Sequence, residues 1–376
     1  MHEAHFVEGL EDVVALSSEI CFIDGEEGRL VYRGYDIHDL IKGDCTFEEV
    51  IYLLWHGELP TQEQLAAFDR SLRADRALSP QILRALHELP KTGNAMEMLR
   101  TLVSIAGLYD PDNADNSYDA SVRKATRLVA KIATMVAAIE RYRNDQDPLA
   151  PNDKLNHAGN FLYMLMGKEP DEYTMRAFEI ALILHADHEL NASTFSARVT
   201  AATLSDIYSA IVSAVGTLKG PLHGGANEQV MLMLKEIGDK AKAEAWIHQA
   251  LVDKRRIMGF GHRVYHTEDP RATHLRRMSR EIGERAGDTS YFEMSQIVER
   301  VVKEEKHLNP NVDFYSASTY YMMGIPVHVF TPVFAVSRIS GWTAHVLEQY
   351  RNNRLIRPRA EYVGIKKRAY TALADR

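Results

Sequence analysis

Helical periodicity, restarted repeatedly behind capping residues, constrains this 376-residue chain more than any other feature. In "TFEEVIYLLWHG", Thr46 stands at an N-cap position with Glu49 three residues on, the pattern of a capping box. Phe47, Val50, Ile51 and Leu54 then fall on one face at helical spacing, and Gly57 and Pro60 end the run. "SDIYSAIVSAVGTLKGP" follows the same logic. Ser205 is the predicted cap, Ile207, Ile211, Ala214, Val215 and Leu218 share a face, and Gly220–Pro221 closes it. Units of this kind joined by short polar loops predict an all-α protein. The exception is "EICFIDGEEGRLVYRG", two short β-favouring runs around an Asp-Gly-Glu-Glu-Gly turn, which predicts a small N-terminal hairpin.

The length favours two domains over one. The breaks "KGPLHGGANE" and "NPNVDFYSAS" bracket a charge-rich stretch, which places a small domain at 223–319. The larger helical domain would then be discontinuous, 1–222 with 320–376. "DPDNADNSYD" (110–119) and "RNDQDPLAPND" (143–153) read as solvated connectors and nothing more. A net charge of −8 argues against non-specific nucleic-acid binding. Cys21 and Cys45 are too few for a disulfide framework or a four-cysteine metal site. Apolar runs such as "IALIL" are too short to span a bilayer, which takes about 18 residues or more. The opening "MHEAHFVEGLEDVV" lacks the basic and apolar regions of a signal peptide, so a cytoplasmic enzyme with no membrane partner is expected.

Three histidine-bearing stretches carry candidate chemistry. "LILHADHELNAST" puts His185 and His188 at i, i+3, on one helix face if the helix continues. The bland reading is two polar residues at a helix end. A zinc site is the sharper one, but the metalloprotease spacing H-E-x-x-H is absent. A hydrolase built on His185, His188 and His223 is the remote alternative. "GPLHGGANE" sets His223 among glycines, with Asn227 or a neighbour capping the helix that follows. A ring just before a helix N-terminus is disfavoured as imidazolium. In "MGFGHRVYHTEDPR", Gly259 and Gly261 let backbone approach a ligand beside His262, and "DPR" forces an extended turn before Arg271.

"NPNVDFYSAS" holds Asp313, which reads either as a helix cap or as a carboxylate whose neighbours Val312, Phe314 and Tyr315 raise its basicity. Arg338 lies inside the apolar run "VFAVSRISGW" and must meet an acidic group from the protein or from a ligand. Arg354, Arg357 and Arg359 follow in "NNRLIRPRAEY", with surface ion pairing the ordinary role of Arg354. Histidines, one carboxylate and several arginines, without metal-ligand spacing, fit carbon–carbon or acyl chemistry on an anionic substrate. A non-catalytic helical scaffold would leave Arg338 and the glycine-flanked histidines unexplained.

These motifs, in this order, resemble the citrate synthase family, and the likeness runs from "GLEDVV" to "RPRAEYVG". The resemblance implies an all-α fold of a large and a small domain, with the small one closing over substrate. It implies the condensing step of the tricarboxylic acid cycle, in which acetyl-CoA joins oxaloacetate and citryl-CoA is hydrolysed to citrate and CoA. By position, it places the catalytic trio on His223, His262 and Asp313. It puts the oxaloacetate ligands on His188, Arg271 and Arg338, with Arg357 reaching across a homodimer interface. The CoA contacts would fall on Arg256, Ile257, Gly259, Gly261 and Arg263. No metal and no cofactor are implied, since acetyl-CoA is a substrate. His266 stands where relatives usually carry Lys or Arg, so CoA affinity is expected to tighten modestly in mild acid. The extra N-terminal region of the longer, NADH-regulated hexameric relatives is missing, so a dimer without that site is expected. The close competitor is 2-methylcitrate synthase, whose propionyl-CoA differs by one methylene, worth only about 1–3 kcal/mol of discrimination.

Overall fold

A computed structural model describes residues 7–376. Among these are sixteen α-helices and one three-stranded antiparallel sheet, so the all-α expectation with a small N-terminal hairpin holds. Thr46 does cap the helix Phe47–His56: its Oγ1 accepts the Glu49 N–H, and Glu49 Oε2 accepts the Thr46 N–H at 2.7 Å. That helix is buried on more than one face, since Leu53 and Trp55 are enclosed as well. Trp55 Nε1 donates to Ser340 O and Thr343 Oγ1 of the central helix Phe330–Arg351. One boundary differs from expectation. The helix Ile207–Leu218 is capped by Asp206, whose Oδ1 accepts the Ser209 N–H at 2.9 Å, and Ser205 lies outside it.

In the sheet, Cys21–Asp24 pairs with Arg29–Tyr32, and a short third strand, Tyr35–Asp36, was not foreseen. Asp24 Oδ1 closes the turn by accepting the N–H groups of Glu26 and Glu27. The turn meets the loop after His262: Gly25 O accepts the His266 N–H at 3.0 Å. A Cβ on Gly25 would lie 2.0 Å from Val264 O, so only glycine permits this approach.

The two stretches read as plain connectors are anchored instead. The ammonium of Lys124, fully buried, donates to Asp115 O, Asn113 O and Asn116 Oδ1, while Arg127 forks onto Asp110. Arg73 and Arg76 both reach Leu155 O, and Asn160 Oδ1 takes the Asn152 N–H, so the end of the second stretch is held too. Lysine and arginine side chains from neighbouring helices supply donors that the loops' own sequence does not reveal.

The helices Ala226–Ile237, Lys240–Val252, Pro270–Ala286, Ser290–Lys306 and Val312–Met322 pack on one another. No helix among the described residues is long and apolar enough to cross a membrane.

Candidate active site

The helix Glu172–His185 stops at His185, so His188 lies in the following turn and the two rings do not share a helix face. His185 Nδ1 faces Ala181 O at 2.7 Å. The turn is stitched to the central helix: Arg338 Nε donates to His185 O at 2.7 Å and the Gly341 N–H to Ala186 O at 3.0 Å.

His223 sits in a tight turn after Leu218, its N–H on Gly220 O and the Gly224 N–H on Leu218 O. A Cβ on Gly224 would meet Leu218 O at 2.5 Å, so this glycine serves the chain's own close approach. The next helix, Ala226–Ile237, has Gly225 at its N-cap, with Asn227 already inside the first turn. His223 thus stands three positions ahead of a helix N-terminus. Its Nε2 accepts the Ser193 N–H at 3.3 Å and lies 2.8 Å from Ser193 Oγ, which also receives Trp342 Nε1–H at 3.0 Å. With the Ser193 N–H directed at it, Nε2 is assigned as an acceptor, which puts the proton of the neutral ring on Nδ1. Burial, aided by the charge of Arg338, pushes its pKa down to about 4.

His262 has the opposite tautomer. Its Nδ1 accepts the N–H groups of Val264 and Tyr265, at 3.0 and 3.2 Å, which leaves the proton on Nε2. The loop before it is pinned by Gly261 N–H to Asn309 O and Asn311 N–H to Gly259 O, both 2.9 Å. Gly259 and Gly261 have φ of +84° and +76°, the region glycine favours. Burial and Arg271 together lower the His262 pKa to about 4. Its ring lies 5.1 Å from that of His188, which is buried and held well below its ordinary pKa by desolvation and by Arg271. His188 Nε2 is 3.3 Å from Tyr265 Oη.

The two buried arginines near these histidines, Arg271 and Arg338, differ. Arg271 is matched by Asp269: Nε to Oδ1 at 2.9 Å and Nη2 to Oδ2 at 2.8 Å. Arg338 has no carboxylate partner among the described residues. It makes its one hydrogen bond to His185 O and lies 4.7 Å over the Phe334 ring. Among the described residues, then, none pairs with it as the acidic group expected of it. Burial lowers its pKa to about 10, opposed by the charge of Asp187.

Asp313 is not a cap. Asn311 caps the helix Val312–Met322, accepting the Asp313 N–H at 3.0 Å, and Asp313 follows in the first turn. Its Oδ1 is buried without a hydrogen-bond partner. Burial raises its pKa to about 7; Arg271 opposes this, Asp269 adds to it and Arg338 opposes it again. A half-buried carboxylate whose buried oxygen receives no donor is a competent proton acceptor at neutral pH.

The charge of Arg271 is felt by His188, His262 and Asp313, and that of Arg338 by His188, His223 and Asp313, so the two arginines tie these side chains to one region. Asp269 and Ser193 belong to the group and were not singled out from sequence, although Asp before Pro at a helix start is a legible cap signal. Arg256 and Arg263 are exposed without ion pairs among the described residues, and Ile257 is half-buried. His266 is exposed with Nε2 3.6 Å from Glu26 Oε1, an acidic neighbour not foreseen. Arg354 and Arg357 lie in the exposed segment after Arg351, and neither makes an ion pair within the described chain. Among the described residues no three His, Cys, Asp or Glu side chains converge as metal ligands would, and His185 turns Nδ1 to a carbonyl. Nothing supports the hydrolase reading.

The family model for the citrate synthase C-terminal domain matches residues 9–359. The chain belongs to the citrate synthase family. Citrate synthase of Haloferax volcanii is 53% identical over 374 residues, 98% of each chain. Citrate synthase 2 of Bacillus subtilis is 50% identical, again over 98% of each. 2-Methylcitrate synthase 1 of Corynebacterium glutamicum matches at 42% over the whole of both chains. The Thermoplasma acidophilum citrate synthase, solved as a ternary complex with carboxymethyl coenzyme A and oxaloacetate, has a TM-score of 0.93 at 32% identity, covering 99% of this chain and 100% of that one. Membership of this family makes the chain an acyltransferase.

Proposed function

We propose that this protein condenses acetyl-CoA with oxaloacetate and hydrolyses the citryl-CoA so formed to citrate and CoA. The observation that carries this reading is the pair of opposed histidine tautomers, Nδ1–H on His223 and Nε2–H on His262, together with the unbonded carboxylate of Asp313, all three under the charge of Arg271 or Arg338. Asp313 takes a proton from the acetyl methyl group. His223 donates Nδ1–H to the thioester oxygen as negative charge grows there. The enol carbon attacks the ketone of oxaloacetate, whose oxygen is polarised and then protonated from His262 Nε2. Water cleaves the thioester, releasing CoA.

Arg338, with no carboxylate of its own, and the free edge of Arg271 receive the oxaloacetate carboxylates, with His188 beside them. Arg357 of the partner subunit completes the set in a homodimer, which accounts for its lying exposed in the single chain. Arg256, Ile257, Gly259, Gly261 and Arg263 line the approach for CoA, and acetyl-CoA enters as substrate with no separate cofactor. We take residues 223–319 as the small domain that closes over the substrates, although position 319 falls inside the helix Val312–Met322. The enzyme is read as cytoplasmic.

Specific activity with acetyl-CoA and propionyl-CoA, each with oxaloacetate, tests the reading. Release of CoA that depends on oxaloacetate and is faster with acetyl-CoA is expected. Faster turnover of propionyl-CoA would replace it with 2-methylcitrate synthesis, and no turnover with either would sink both. The higher identities to citrate synthases favour acetyl-CoA.

A further inference from the structure

The carboxylate of Asp269, 1% exposed, receives four N–H groups from two elements. Oδ1 accepts the backbone N–H of Arg271 at 3.0 Å and its Nε–H at 2.9 Å. Oδ2 accepts Arg271 Nη2–H at 2.8 Å and the backbone N–H of Val312 at 3.0 Å. The first element is the start of the helix Pro270–Ala286, which Asp269 caps. The second is the first residue of the helix that carries Asp313. Burial alone would raise the pKa of Asp269, but Arg271 draws it below the ordinary carboxylate range, so it is ionised.

We infer that Asp269 is a positioning residue that registers the two substrates against each other: it fixes the guanidinium of Arg271 for oxaloacetate and, through Val312, the first turn that places Asp313 at the acetyl group. This rests on the roles of Arg271 and Asp313 proposed above. A bidentate fork leaves Arg271 one free edge, so the carboxylate it binds has one permitted direction. The bond to Val312 ties that direction to the height of Asp313, one residue further on. A condensation needs its base and its electrophile set together, and displacement of about 1 Å can cost 10²-fold in rate. Asp269 also acts through charge. The groups whose charges Asp313 feels are Arg271, Asp269 and Arg338, and it in turn acts on the Tyr320 hydroxyl. Of these, Asp269 is the anion that opposes ionisation of Asp313.

The test uses the full-length chain with Asp269→Asn and Val312→Pro. Proline is tolerated at the first helical position, and Asn311 is already extended, as a residue before proline must be. Val312→Pro therefore deletes the N–H that reaches Asp269 and leaves the Arg271 fork whole. For Asp269→Asn, the dissociation constant for oxaloacetate should rise and kcat fall, each by about ten-fold. The pH at which kcat declines on the acid side should also move lower, because an anion beside Asp313 is gone. For Val312→Pro, kcat should fall by several-fold with oxaloacetate binding unchanged. Wild-type kcat in Val312→Pro, or an unmoved acid limb in a folded Asp269→Asn, overturns the inference. If Asp269→Asn does not fold, Val312→Pro alone decides. A wild-type chain that condenses neither acyl-CoA would sink the function itself, a result distinct from either variant's.

Discussion

Ser193 meets Nε2 of His223 twice, through its backbone N–H at 3.3 Å and its hydroxyl at 2.8 Å. The backbone contact assigns the tautomer and the hydroxyl holds the ring's angle, itself held by the Trp342 Nε1–H that it accepts and by Asn191 Oδ1, to which it donates at 2.8 Å. Ser193→Ala keeps the first and loses the second. Its kcat should fall about ten-fold, the size expected for loosening one oriented hydrogen bond. Nitrogen-15 shifts should still report the proton on Nδ1 of His223; a proton on Nε2 would show that the hydroxyl, not the backbone, sets the tautomer.

Asp313→Asn should lower kcat by at least about 10²-fold, since the general base is removed. The same change should stabilise the protein at neutral and higher pH. The folded pKa of about 7 lies above the ordinary carboxylate value, so the unfolded chain releases this proton first. Between about pH 4 and 7 the wild type progressively loses stability that the asparagine variant keeps. Discounted for partial exposure, the gain is on the order of 1–2 kcal/mol at pH 8 and vanishes near pH 4. Thermal melts of both proteins across that range check the sign.

Arg271 and Arg338 should respond oppositely to removal. Arg271→Met strands the buried carboxylate of Asp269 and should cost about 3–5 kcal/mol. Arg338→Met removes a buried charge that has no carboxylate at ion-pair distance, only the more distant charge of Asp187, so the ligand-free protein should lose no more than about 1 kcal/mol. Wild type should melt higher with oxaloacetate added, and Arg338→Met should not. A strong destabilisation of the ligand-free Arg338 variant would mean that its carbonyl contact matters more than its charge.

Lys124→Met should destabilise by about 2–3 kcal/mol, as a charge-assisted set of bonds to the 110–116 loop is lost. Substrate KM values should not change, because none of the site residues lies in this loop. Denaturant melts and steady-state kinetics on one preparation separate the two effects.

The sequence made helices and their faces legible because caps and periodicity are local. Thr46 with Glu49 is decided within four residues, and so is the hairpin turn at Asp24. Arg338 was legible as a buried charge, since an arginine in an apolar run has nowhere else to go. Its actual partners were not, because a carbonyl at residue 185 and a ring at 334 are chosen by how two helices cross. The tautomer of His223 was hidden for the same reason, since it depends on an N–H thirty residues away, whereas that of His262 turns on the backbone path of its own loop, which folds the N–H groups of Val264 and Tyr265 onto the ring. The loop at 110–119 misled because its acidic and amide groups look solvated until Lys124 and Arg127 arrive from the next helix.

The contact between Gly25 and the loop at 264–266 has a consequence for synthesis on the ribosome. The hairpin emerges well before the loop, and the backbone groups that complete it come some 240 residues later by the numbering of these positions. Loop closure over such a span is slow and entropically costly. The loop that carries His262 and the hairpin that braces it therefore assemble late, when most helices have already been translated. A nascent chain can be largely helical and still be inert, and a fragment ending before residue 264 leaves its hairpin unbraced.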